Sequence, residues 1–239
     1  MNAAHEARHA GRRAWLRDHT QALHTQLDSL APLRALLQPG LTSRAYLGIM
    51  AAMYTAHAQL EPVLLALDSA RPTALPAYAS RLALITREVA RHHNDDTATP
   101  PSHIGAAQGS GSDTVSGSSS TSASTFALAH MLAAVAGECP APNTATLTKL
   151  QSRYLGLRYV LEGATQGSRF IQKSLQQHNP GLRIGPDSYW ATLAANSGGW
   201  SCLCDIIDNK NTVIDDTELL AGATLGFETF INTFYNAAT

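Results

Sequence analysis

The chain has 239 residues, 44% of them hydrophobic and only 15% charged, with 17 basic side chains against 18 acidic ones. A formal net charge of −1 offers no basic stripe for nucleic acid or an anionic membrane. No apolar run approaches the roughly 20 residues that cross a bilayer, and the opening MNAAHEARHAGRR has no hydrophobic stretch to act as a secretory signal, so a cytoplasmic protein is expected. Cys139, Cys202 and Cys204 are odd in number and lack C-x-x-C spacing, which argues against a disulfide framework and a zinc ribbon.

Apolar residues recur at three to four positions rather than two, so the fold class is all-α and the chain reads as one domain. A first helix is predicted from about Ala7 to Asp28, with Leu16, Thr20, Leu23, His24 and Leu27 on one stripe and Arg13, Arg17, Asp18 and Gln21 outside it. A short helical turn follows at Pro32 to Leu37. Thr42 or Ser43 then caps a long helix from about Arg44 to Asp68, apolar over most of its circumference and stopped by Arg71-Pro72. Another helix spans about Tyr78 to His92. The stretch from Asn94 to Thr125, rich in Ser, Gly and Thr, is too poor in apolar side chains to offset its ordering entropy, and a disordered insertion within the domain is expected there. A hydrophobic helix follows at about Phe126 to Ala136. Asn143 or Thr144 caps a long helix reaching about Gln177, and two more helices are expected at Ser188 to Leu203 and Asp215 to Asn236.

Three patterns could carry chemistry. His5-Glu6-Ala7-Arg8-His9 matches the H-E-x-x-H zinc signature, but it lies where chains fray and has no evident third ligand, so it reads as a chance match. His24 lies on the apolar stripe, where an unpartnered imidazole is costly. Asp28, one turn on, could accept from one ring nitrogen and leave the other for a metal; a satisfied core histidine is the bland alternative. Gly156, Gly163 and Gly167 share a face of the long helix, each at a cost of about 1 kcal/mol relative to alanine, so a close approach is expected, by a neighbouring helix or by a broad flat ligand.

The residues Leu16, Arg17, Thr20, His24 and Asp28 resemble the proximal helix of heme oxygenases, and Tyr159-Val-Leu-Glu-Gly163-x-x-x-Gly167 resembles the distal helix of their bacterial, phytochrome-associated members. Tyr46 through Glu61, Gly198-Gly199-Trp200 and Gly226-Phe227-Glu-Thr-Phe230 agree with the same family. The resemblance implies a heme-oxygenase-like helical bundle and cleavage of heme to biliverdin, carbon monoxide and ferrous iron. Dioxygen and electrons from a reductase or ferredoxin would be consumed, and a phytochrome is a possible acceptor of the product. It implies that His24 is the axial ligand, oriented by Asp28, and that Thr20 belongs to the cofactor-binding set. Gly163, Ala164 and Gly167 then face the porphyrin, and Arg17 and Arg158 are candidates for its propionates. Two departures stand out: Ala164 occupies the place of a common aspartate, and Ser168 that of a second glycine or alanine, where its hydroxyl could crowd or hydrogen-bond iron-bound oxygen. A noncatalytic heme carrier on the same fold is one rival. A non-heme di-iron oxidase or thiamin-degrading enzyme on a similar fold is the other, and inward clustering of His57, Glu61 and Glu162 would favour it.

Overall fold

The computed structural model describes residues 11–97, 143–196 and 198–238. They form α1 (Arg12–Ser29), α2 (Ala31–Ala35), α3 (Ser43–Ala66), α4 (Leu82–Thr97), α5 (Thr144–His178), α6 (Tyr189–Ala195), α7 (Gly198–Asp208) and α8 (Asp216–Ala238), with single 3-10 turns at Asp68–Ala70 and Pro180–Leu182. No strand occurs among the described residues, and none of their helices is long and apolar enough to cross a membrane. The H-E-x-x-H match, Cys139, the predicted helix at 126–136 and the Ser/Gly tract beyond Thr97 lie outside the described residues.

Local chemistry sets most boundaries. Thr42 accepts from the Ala45 amide and Asn143 from the Thr146 amide, so both predicted caps form. Gly11 has no side chain to cap α1; Asp208 of α7 does so instead, accepting from the Arg13 amide at 2.9 Å. Two expectations are corrected. The segment from Ser188 to Leu203 is two helices: Asn196 leaves helical geometry, and α7 begins afresh at Gly198. The helix predicted at Tyr78 starts at Leu82 and continues to Thr97, four residues into the tract expected to be disordered.

The core is organised around α8, which packs along α5, α3 and α1. Its closest neighbour is α5, through glycines on both sides. A Cβ on Gly156 would stand 1.9 Å from the Leu219 carbonyl oxygen, and one on Gly222 would stand 2.2 Å from that of Arg153. Gly226 backs onto Val160 in the same way. Ascending α8, Asp216 pairs with Arg12 and Glu218 with Arg153, then Gly226 meets Val160 and Phe227 meets His24. Helices α1 and α5 therefore climb α8 in its own direction. His24 stands level with the turn of α5 that leads into Gly163.

Candidate functional site

Helix α1 buries only Leu16 and Thr20, because a single narrow stripe of it meets α8 and α7. His24 falls beside that stripe, so its side chain is 57% exposed, where the sequence pattern suggests burial. Its Nδ1 lies 2.9 Å from Asp28 Oδ2, and its ring meets Phe227 edge-on with centroids 5.8 Å apart. The carboxylate and the phenyl edge fix the ring plane while Nε2 is left to the outside. Thr20 is 2% exposed, and its hydroxyl donates to the Leu16 carbonyl at 2.9 Å, so it closes the helix against the core and does not face a ligand.

The three glycines of α5 have three different neighbours. Gly156 is filled by α8, as above. Gly163 faces the indole of Trp200, with a built Cβ 3.5 Å from the ring, and a Cβ on Gly167 would meet nothing among the described residues within 4 Å. Ala164 and Gly167 are exposed, and Phe170, one turn beyond Gly167, is exposed to 74%. The sequence reading passed over Phe170, although its i+3 spacing from Gly167 puts it on the same face. Ser168 does not join them. It is fully buried and its hydroxyl donates to the Ala164 carbonyl at 3.0 Å, so it can neither crowd nor bond a ligand on the glycine face.

Arg158 is also corrected. It is 1% exposed and bonds inward to Glu162 at 2.9 Å, the Tyr154 hydroxyl at 2.8 Å and the Pro76 carbonyl at 3.2 Å, so no propionate can use it. Arg17 remains open. It lines a cavity of about 300 Å³ with Arg13, Tyr159, Trp200 and Asp208, where α1, α5 and α7 meet.

Behind α5 lies a buried polar cluster that joins residues far apart in sequence. Glu61 accepts from Ser80 at 2.5 Å, the Arg81 amide at 2.9 Å and Tyr78 at 3.3 Å, with His57 Nδ1 at 3.4 Å. Arg81 then reaches Glu162 at 3.3 Å, and Glu162 also holds Arg158. Burial drives the His57 pKa below its ordinary value, against the pull of Glu61. Burial pushes the Glu61 carboxyl up, but hydrogen bonds from His57, Ser80 and the Arg81 amide more than reverse it, so its pKa lies below the usual carboxylate value. His57 and Glu61 thus form a buried pair, and Glu162 joins it through Arg81. No group of three or more metal-ligating side chains occurs among the described residues. The cluster is a charge-balanced network of two carboxylates and two guanidinium groups.

No known family model matches the chain, and no curated protein matches it either.

Proposed function

We propose that the protein binds heme between α1 and α5 and acts as a heme oxygenase. The observation that carries this reading is His24, an exposed imidazole with Nδ1 anchored on Asp28 at 2.9 Å and Nε2 left open. In the neutral tautomer Nδ1–H donates to the carboxylate. That leaves the Nε2 lone pair for iron and makes the ring a better donor. Imidazole ligation suits heme iron, and a single histidine suffices for it, so the donor present fits the group. The bare turn of α5 supports the same reading: the turn level with His24 leads into Gly163, and one turn further, at Gly167, the helix has no side chain and no neighbour among the described residues.

When bound, heme supplies both the iron that activates dioxygen and the carbon skeleton that is oxidised to biliverdin, with carbon monoxide and ferrous iron released and electrons drawn from a separate reductase or ferredoxin. His24 would hold the iron, and Asp28 keeps its tautomer and ring angle. Ala164 and Gly167 leave room on the facing helix, and Phe170 offers an apolar edge beside them. Phe227, under the His24 ring, keeps water from that side. Trp200 covers Gly163, so a ligand lying over that turn must displace the indole or stop beside it.

The test is to add hemin to the protein and to His24→Ala, record the Soret band, then add ascorbate in air. A His24-dependent Soret that bleaches as biliverdin absorbance grows is the expected result. Tight His24-dependent binding without bleaching would make the protein a heme carrier, and equal spectra for both proteins would overturn the heme reading.

A further inference from the structure

The cavity of about 300 Å³ at the meeting of α1, α5 and α7 touches the heme reading through Arg17 and Trp200 but includes neither His24 nor Gly167. Its volume sits at the lower end of small-molecule pockets, roughly 300–1,000 Å³. Two guanidinium groups, Arg13 and Arg17, face one carboxylate across it. That carboxylate is already engaged, since Asp208 accepts from the Arg13 amide at 2.9 Å and faces Arg13 Nε at 3.2 Å. Among the described residues Arg17 pairs with its chain neighbour Asp18 at 3.4 Å, and both side chains are about two-thirds exposed. Each arginine thus has one carboxylate at hand, and the Arg17–Asp18 pair is the longer and more exposed of the two.

The opposite wall is aromatic. Tyr159 and Trp200 stand 5.3 Å apart between ring centroids, tilted by 42°. Trp200 also separates the cavity from the open turn of α5, because its indole rests on Gly163. Along α1, Arg13 precedes His24 by three turns, roughly 16 Å at the helical rise.

We propose that this cavity is a second binding site, for a small conjugated carboxylate. The ring of the ligand lies against the Tyr159–Trp200 pair, and its carboxylate is held between Arg13 and Arg17. Planar guanidinium forks match a carboxylate edge better than an ammonium does, and they stack on aromatic faces as well. The carboxylate role that the family resemblance gave to Arg17 is thereby redirected to a smaller ligand.

The probe is 2-naphthoate, titrated calorimetrically into the full-length apo protein, with 2-naphthamide as the uncharged control. One-to-one binding of the acid is expected. Loss of one charge-assisted contact corresponds to about tenfold in affinity, so the amide and Arg17→Gln should each bind or be bound at least about tenfold more weakly, with Arg17→Lys in between. Arg17 is exposed, so the glutamine variant should keep its circular dichroism spectrum. His24→Ala should leave naphthoate affinity unchanged, which separates this site from the heme reading. Failure of the acid to bind, equal binding of acid and amide, indifference to Arg17→Gln, or complete exclusion of naphthoate by saturating hemin would each overturn a separate carboxylate site.

Discussion

Two histidine–carboxylate pairs of the same sequence spacing sit in opposite surroundings. His24 and Asp28 on α1 are 57% and 66% exposed, whereas His57 and Glu61 on α3 are 0% and 4% exposed. The exposed pair is closer, at 2.9 Å against 3.4 Å, yet solvent screens it and little stability should depend on it. The buried pair is one end of a network that ties α3 and the segment before α4 to α5 through Arg81 and Glu162. Spacing alone thus marks a pair that can form. The environment decides whether it serves folding or is left free to meet a ligand.

The sharpest way to break this comparison is to remove each carboxylate in turn. Glu61→Ala leaves the Arg81 amide, Ser80 and His57 without their shared buried acceptor and should cost about 3–5 kcal/mol, as breaking a buried pair does. Asp28→Ala should cost no more than about 0.5 kcal/mol. Urea denaturation of the two variants measures both, and comparable losses would mean that burial is not what distinguishes the pairs.

The next largest effect concerns the filled glycine. Gly156→Ala would put a methyl 1.9 Å from a backbone carbonyl oxygen, which cannot rotate away, so α5 and α8 must part. Overpacking of this kind typically costs about 1–3 kcal/mol and should appear as a lower midpoint in thermal melts. An unchanged or raised midpoint would show that the helices are not in glycine contact.

Acid should weaken the buried pair. The folded-state pKa of His57 lies below its ordinary value of 6.5, so the unfolded chain binds the extra proton first. Its contribution to stability is present in full above pH 6.5 and is lost as pH falls toward the depressed value. Glu61, also depressed from its ordinary 4.5, adds a second loss of the same sign at lower pH. Each proton taken up on unfolding steepens the decline by at most about 1.4 kcal/mol per pH unit. His57→Gln should flatten the first part of the stability–pH curve; a curve unchanged from that of the parent protein would contradict the assignment.

Much of the fold was legible because caps and periodicity are local. Thr42 and Asn143 cap where their position in the sequence suggests, and the long helix of glycines runs within one residue of its expected end. The His24–Asp28 contact was legible for the same reason, since four residues of helix bring the two side chains together. His24 was nonetheless misjudged as buried, because the width of an apolar stripe does not reveal how much of it the neighbours cover. Arg158 and Ser168 were misplaced for a related reason. Their partners, Pro76, Tyr154, Glu162 and the Ala164 carbonyl, take up every polar group they could offer a ligand, and which way a polar residue turns on a long helix depends on contacts as distant as Pro76. The G-x-x-x-G spacing of Gly222 and Gly226 was visible in the chain and went unread. Paired with Gly156, it would have shown that one half of the glycine strip belongs to helix packing.

That division of the strip gives the smallest effect and the one with the most informative sign. A Cβ at Gly167 meets nothing among the described residues within 4 Å, and its helix is continuous, so Gly167→Ala should stabilise the apo protein by up to about 1 kcal/mol through helix propensity alone. A flat ligand lying against this turn would meet the added methyl. The same substitution should therefore weaken hemin binding while raising the apo melting temperature, whereas Gly156→Ala should lower the melting temperature whether or not hemin is present. If Gly167→Ala raises stability and leaves hemin affinity untouched, the open turn of α5 has no ligand against it, and the case for heme between α1 and α5 falls back on His24 alone.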